Sequence, residues 1–328
     1  MRFSTVARTA FVSIVLTALA HAPGAAQNYP ARPVTIVVPY AAGGNTDVIA
    51  RDLARRLEQR LGQSFIIEQK LGAASVIGAA YVARSAPDGY TILLGTSTTM
   101  AINASVYKNL PYDPTKDLVP IALVAGVPFM LVVNPSLPIR SIPDFVKVAK
   151  STPGGLTYAS NGAGGAAHLF MELLKASLGI ELTHVPYKGL APALNDIVGG
   201  HVHTMFGDFA TALPLVRDGK LRAIGVSTAQ RVAPAPEIPP LAEAGMPGFD
   251  ASSWQMIIAP AGIPRPLLER LNAELRAIMS DEAMQKAFAD RGLVPLVSGP
   301  PDELTRFVKS EIVRWGEVVK RAGVAGSQ

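Results

Sequence analysis

Two glycine-rich turns carry most of the polar chemistry of this chain. The first lies in Val34-Thr-Ile-Val-Val-Pro-Tyr-Ala-Ala-Gly-Gly-Asn-Thr-Asp47. Its β-branched run reads as a buried strand ending at Pro39. Gly43 and Gly44 let the backbone pass where a side chain would block it. Asn45, Thr46 and Asp47 are all residue types that cap helix starts. A strand, a glycine turn and a helix start together leave N–H groups able to meet an anion. The device returns at Leu156-Thr-Tyr-Ala-Ser160, followed by Asn161-Gly-Ala-Gly-Gly165 and an apolar helix from Ala166 to Leu178. A third polar feature is Gly95-Thr-Ser-Thr-Thr99, a hydroxyl run after the strand Tyr90–Leu94. In open α/β sheets ligands sit beyond the carboxyl ends of strands, so these stretches are expected to line one cleft. One such loop is equally an ordinary tight turn; two of them point to ligand contact.

Other residue types point away from catalysis. Ser97 lacks the second glycine of a nucleophile elbow, and no histidine is placed by sequence to activate it. His201 and His203 sit two apart on an expected strand, His201–Phe206, so they would share a face. No third ligand accompanies them, and a surface pair is the better reading than a metal site. Neither a metal nor a cofactor is expected. His168, early in a helix, can touch a ligand or merely cap and pack; Asp47 can cap its helix or reach a ligand. Trp254 and Trp315 read as core packing.

The elements that position these residues alternate. Thr46–Leu61 is amphipathic, with Ile49, Leu53, Leu57 and Leu61 on one face and Gly62 as its stop. Ser64–Glu68 reads as a strand and Ser75–Arg84 as a helix before the Pro87-Asp88-Gly89 turn. Leu118–Val133 is a long apolar stretch broken at Gly126-Val-Pro128, which suggests a crossing between domains. Ser141 caps a helix to Lys150. Strands at 182–187, 201–206 and 221–227 alternate with helices at 192–198 and 211–217, arguing for a second parallel α/β sheet. Residues 231–248 read as loop with one short helix. Trp254–Ile258 reads as a strand returning to the first domain, and the remainder as helical.

The chain has 328 residues, no cysteine and a formal charge of +5. Arg2 and Arg8, the apolar run Ala10–Ala20 and Gly24-Ala-Ala26 make residues 1–26 a secretory leader, cleaved before Gln27. The run is too short to span a bilayer. Removing two of the 30 basic residues against 25 acidic ones leaves about +3. That mild charge is spread along helices and gives no support to nucleic-acid binding. The lack of cysteine excludes a disulfide framework and thiol chemistry.

Pro39-Tyr-Ala-Ala-Gly-Gly-Asn-Thr-Asp47, Pro87-Asp-Gly-Tyr-Thr91, Leu110-Pro-Tyr-Asp-Pro114, Val185-Pro-Tyr-Lys-Gly189 with Pro192-Ala-Leu194, and Gly219-Lys-Leu-Arg-Ala223 occur in one order. In that order they resemble the tripartite tricarboxylate transporter substrate-binding receptors of the Bug type, over essentially the whole mature chain. The resemblance implies a type II periplasmic binding protein fold, two α/β domains with a ligand cleft between them. It implies a first domain at 27–126, a second at 127–252 and a return to the first at 253–328. It implies a receptor, not an enzyme, that closes like a flytrap on a small organic acid and passes it to membrane permease subunits; the chain is expected to be a monomer. The ligand would be a dicarboxylate, tricarboxylate, amino acid or aromatic acid, held largely by backbone N–H groups, hydroxyls and water. Carried over by position, the first domain contributes Tyr40, Ala42, Gly43, Gly44, Asp47, Thr96, Ser97 and Thr98. The second contributes Ser160, Asn161, Gly162, Gly165, Ala166, His168, Tyr187, Lys188, Gly189 and Asp208. Two stretches depart from the family pattern. Lys70-Leu-Gly-Ala-Ala-Ser75 replaces a proline and two glycines, and Met205-Phe206 is followed by Gly207 before Asp208. Two other classes remain: a receptor that signals to a sensor kinase, and a secreted hydrolase using Ser97.

Overall fold

The computed structural model describes residues 29–328; the expected leader and its expected cleavage position lie outside them. Strand β1 (Val34–Val38) is parallel to both of its neighbours, β2 (Phe65–Gln69) and β3 (Thr91–Thr96). The connections are α1 (Asn45–Leu61) and α2 (Val76–Ala83). Gly62 ends α1 at φ 73°, a left-handed position that glycine adopts without Cβ strain. A π-helical turn at Thr98–Ile102 and the short α3 (Asn103–Val106) lead to β4 (Leu118–Val127).

Pro128 then divides the long apolar stretch, because proline offers no N–H to a ladder. β4 stays in the first sheet and β5 (Phe129–Val133) enters the second. Further along come α4 (Ile142–Ser151), β6 (Leu156–Ser160), α5 (Ala166–Leu178), β7 (Leu182–Pro186) and α6 (Leu190–Val198). Next are β8 (Thr204–Asp208), α7 (Phe209–Arg217) and β9 (Arg222–Val226). The strand order is β7-β6-β8-β5-β9. β10 (Ser253–Pro260) returns to the first sheet between β3 and β4 and is antiparallel to both. After it run α8 (Arg265–Met279), α9 (Glu282–Asp290), the two-residue β11 (Val294–Pro295) and α10 (Pro301–Arg321). The six-stranded order is β11-β4-β10-β3-β1-β2.

Both sheets are covered, so their central strands are buried throughout: every residue of β5, β8 and β10 is buried. Both tryptophans belong to this packing. Trp254 and Trp315 each donate an indole N–H to the buried Glu311, at 2.6 and 2.9 Å. Trp315 of α10 also stacks on Phe170 of α5, which ties the C-terminal helix to the second sheet's layer.

The structure corrects four expectations. The second sheet is mixed, because β5 enters after a sharp crossing and runs antiparallel to β8 and β9. The strand expected at 201–206 is shifted to Thr204–Asp208. His201 and His203 precede it, in a turn whose amides bond back to Asp196 and Thr157, so they do not form a paired face. Nδ1 of His203 accepts from Thr157 N–H at 2.9 Å. Residues 231–248 hold turns and one isolated bridge, Val226–Pro240, and no helix. Finally, the C-terminal remainder is not purely helical, since β11 pairs with β4.

Candidate functional site

Four helix N-termini reach one cavity where the two sheets face each other: those of α1, α5 and α7, and that of α6, whose first residue Leu190 is on the wall. The first is that of α1. Its N-cap is Gly44, at φ −80° and ψ 167°, and no side chain caps it. The leading N–H groups of a helix have no partner within it, so this end presents donors and a partial positive charge. Asn45, Thr46 and Asp47, expected as caps, instead form the first turn. Asp47 bends back: its carboxylate accepts from Gly43 N–H at 3.2 Å, from Arg51 at 3.0 and 3.1 Å, and from Gln69 at 3.3 Å. Burial alone would raise its pKa, but the Arg51 guanidinium and the Gly43 N–H outweigh this and hold it below the ordinary carboxylate range.

The second N-terminus is that of α5, and protein oxygens already occupy it. Ala166 N–H donates to Thr98 Oγ1 at 3.2 Å and Ala167 N–H to Asn161 Oδ1 at 3.3 Å. His168 supports the loop from below, its Nδ1 accepting from Gly164 N–H at 3.0 Å. Burial holds its pKa below the usual histidine value, which suits an acceptor. Ser160 accepts from Gly162 N–H at 3.1 Å and meets His184 Nε2 at 2.7 Å. The third N-terminus, of α7, is capped by Asp208, which accepts from the N–H of Thr211 at 3.0 Å and from its hydroxyl at 2.7 Å.

Between these ends lies a cavity of about 40 Å³, large enough for water but tight for a solute. Of the residues expected from the sequence, Tyr40, Gly44, Thr96, Thr98, Asn161, Ala166 and Asp208 are on its wall. Tyr40 reaches Thr96 Oγ1 at 3.2 Å, and burial raises its phenol pKa against that bond. Gly162, Tyr187 and Lys188 line an adjoining depression of about 360 Å³ that shares Tyr40 and Asn161 with the cavity.

The remaining expected residues are not on the cavity wall. Ala42 is exposed. Gly43 and Asp47 bond each other. Ser160 and His168 buttress the second glycine loop, and Gly165 is the N-cap of α5. Gly189 packs on Ala41 across the cleft, where Ala41 N–H also donates to Lys188 O at 3.2 Å. Ser97 is fully buried, and its hydroxyl meets that of Ser253 at 2.8 Å. That pairing gives it no base, which disfavours a nucleophile.

Sequence reasoning missed other wall residues. Asn45 and Gln255 are 5 % and 3 % exposed, and both amide atoms of Asn45 and Oε1 of Gln255 have no hydrogen-bond partner among the described residues. Gln255 Nε2 donates to Thr46 Oγ1 at 3.1 Å. Gln255 was hidden because its position depends on β10 pairing with β3, which sets it opposite Thr96. Phe129, opposite Asp208, Val127 and Leu190 add apolar wall. Asn45 sat in a motif read only for capping. No wall residue is lysine, arginine or histidine. No trio of potential metal ligands occurs among the described residues.

Residues 49–324 match the tripartite tricarboxylate transporter family receptor. The chain is 38 % identical to protein BugT of Bordetella pertussis over 310 residues, 94 % of this chain and 95 % of that one. Among solved structures it is similar to R. palustris Rpa4515 with adipate, at a TM-score of 0.87 and 39 % identity, covering 90 % of this chain and 99 % of that one. It is similar to the periplasmic binding protein BugD at 0.86 and 37 %, with the same coverage. MatC of Rhodopseudomonas palustris with bound malate gives 0.83 and 34 %, over 89 % of this chain and all of that one. The expected periplasmic binding protein fold is therefore correct, and the chain belongs to the tripartite tricarboxylate transporter receptor family.

Proposed function

We propose that this chain is a periplasmic receptor that captures a small organic carboxylate between its two sheets and delivers it to membrane permease subunits. The observation that carries this reading is the N-terminus of α1: Gly44 leaves it uncapped beside a cavity whose wall holds no cationic side chain. A carboxylate there would meet oriented N–H donors, each charge-assisted bond contributing roughly 1.5–3 kcal/mol. Several such bonds suffice for micromolar affinity, on the order of 8 kcal/mol. The carboxylates bound by two relatives, adipate and malate, fit this chemistry. No helix among the described residues is long and apolar enough to cross a membrane. We read the tight cavity as the closed arrangement, with an open one admitting the ligand. Closure then follows from how much better the closed form binds it. We assign the domain division to residues 27–126, 127–252 and 253–328, with the hinge at the crossings.

The test is a thermal-shift screen of residues 27–328, refolded to strip carried ligand, against small carboxylates, amino acids and aromatic acids. A ligand bound only by the native state raises the melting temperature. A clear shift with an acid supports the receptor; no shift with any small acid overturns it.

A further inference from the structure

Two buried carboxamides stand on the cavity wall at the N-terminus of α1. Asn45 is the first residue of α1, and neither polar atom of its amide has a hydrogen-bond partner among the described residues. Gln255 comes from β10, opposite Thr96 of β3. Its Nε2 donates to Thr46 Oγ1 at 3.1 Å, in the same first turn of α1. Its Oε1 has no partner among the described residues. β4 carries an extra residue, Val124, opposite the Gln255–Met256 step, an irregularity of the kind that re-aims a side chain beside a site. Both residues are more than nine-tenths buried and line the cavity. Buried amides are ordinarily paired, because desolvating an unpaired one is unfavourable. Two of them on one wall, beside an uncapped helix start, point to an occupant.

The unmet atoms define that occupant's chemistry. A carboxylate only accepts hydrogen bonds. It answers the N–H groups of α1 and Asn45 Nδ2, and it leaves Asn45 Oδ1 and Gln255 Oε1 without donors. A hydroxyl both donates and accepts, so it serves either atom of an amide. An ammonium in the same place is charged, and the carboxylates nearby are committed. Asp47 accepts from Gly43, Arg51 and Gln69, and Asp208 caps α7 through Thr211. Room is limited as well. A cavity of about 40 Å³ holds roughly three waters, so the donor must sit close to the carboxylate.

We infer that Asn45 and Gln255 read a hydroxyl on the carbon next to the ligand's carboxylate, so that the receptor favours a 2-hydroxy acid over the same acid without the hydroxyl. This rests on the receptor reading above and deepens it. The carboxylate meets the N-terminus of α1 and Asn45 Nδ2, and the hydroxyl lies between the two amides. An acid lacking the hydroxyl strands the amide oxygens when the cavity closes. A site built to bond a hydroxyl discriminates strongly against such an analogue.

The experiment is calorimetric titration of residues 27–328, refolded to strip carried ligand, with acids that share a carbon skeleton. The sets are lactate, alanine and propionate; malate, aspartate and succinate; and mandelate, phenylglycine and phenylacetate. In the set that holds the tightest binder, the better enantiomer of the hydroxy acid binds at least tenfold tighter than either the plain acid or the amino acid. Asn45→Ala weakens the hydroxy and the plain acid but cuts their ratio below threefold. Gln255→Met, of similar volume, narrows the ratio too. A purely structural role for these amides would lower both affinities in parallel, and an unchanged ratio in both variants overturns the inference. Should one variant fail to fold, the other decides together with the ratio in the unaltered protein. Equal or tighter binding of the plain acid or the amino acid also overturns the inference and leaves the receptor standing. If no acid in any set binds, the inference falls, and the broader screen above decides the receptor separately.

Discussion

The hydroxyl of Thr98, just beyond the first sheet, caps a helix of the second: Thr98 Oγ1 accepts from Ala166 N–H at 3.2 Å. Thr98 is 1 % exposed and Ala166 2 %, so water does not replace this bond when it is lost. The two halves of the cavity are thus joined at the point where a ligand would enter their contact. Thr98→Val keeps the shape and leaves Ala166 N–H without a partner. The expected loss is about 1–3 kcal/mol, read as a lower melting temperature. Affinity for the acid should fall about tenfold, since about 1.4 kcal/mol is a factor of ten. Unchanged values would show that the bond does not hold the closed arrangement.

Gly44→Val should abolish binding with little effect on the fold. The backbone at Gly44 is extended, and an added Cβ meets only Ala41 O, at 3.5 Å. Valine is a poorer N-cap, which lowers stability by roughly 1 kcal/mol. Its methyls occupy the approach to the α1 N–H groups. Calorimetry on a folded variant checks this.

At Gly189 the closest approach is between backbones. A Cβ there lies 3.0 Å from Ala41 N and 3.2 Å from Ala41 Cβ. The φ of 163° is extended and strains no residue type. Gly189→Ala therefore presses the two sides of the cleft apart without disturbing either. Unfolding free energy should move by less than about 1 kcal/mol, while affinity falls about tenfold through overpacking of the closed form. Small-angle scattering of the ligand-saturated variant should give a larger radius of gyration than the parent.

Asp47 is predicted to be a structural group. Asp47→Ala removes the bond to Gly43 N–H and the contacts to Arg51 and Gln69. The expected cost is about 1 kcal/mol, most of it from Gly43 and Gln69, because Arg51 is largely exposed and screened. The folded pKa is depressed. The contribution is therefore complete above the unfolded value near 4 and is lost as pH falls through the lower folded value. Denaturant curves of both proteins should differ at pH 7 and converge in acid.

Ala73, Ala74 and Ser75 have φ of 47°, 46° and 77°, a left-handed run without glycine. Such a conformation costs a non-glycine residue about 1–2 kcal/mol, partly offset by the greater chain entropy of glycine, about 0.5–1 kcal/mol. Ala73 is exposed, so Ala73→Gly loses no packing and should raise stability by about 0.5 kcal/mol. A melting temperature that falls would contradict this.

Local pattern carried much of this architecture. A β-branched run before a glycine turn located β1, the return of the strand–glycine turn–helix order located β6, and Pro128 marked the passage between sheets. What failed depended on distant partners. β8 is displaced from its expected register because Gly207 and Asp208 pair with Met130 and Phe129, which an apolar run ending at Phe206 does not reveal. The antiparallel entry of β5 follows from the crossing, not from its own sequence. At the site, the glycine loops indicated the helix ends. Which residues then faced the cavity was set by the meeting of the sheets: Gln255 enters it, whereas His168 and Ser160 turn to support a loop. The unusual Lys70–Ser75 stretch, noted from its missing glycines, is where the backbone is strained.

The most direct test of the account is a crystal structure of residues 27–328 with the tightest acid from the screen. The account predicts a ligand carboxylate within hydrogen-bond reach of the backbone N–H groups of Asn45 or Thr46, enclosed between the two sheets. A ligand bound elsewhere, such as the depression lined by Leu173, Met246 and Arg321, would contradict it.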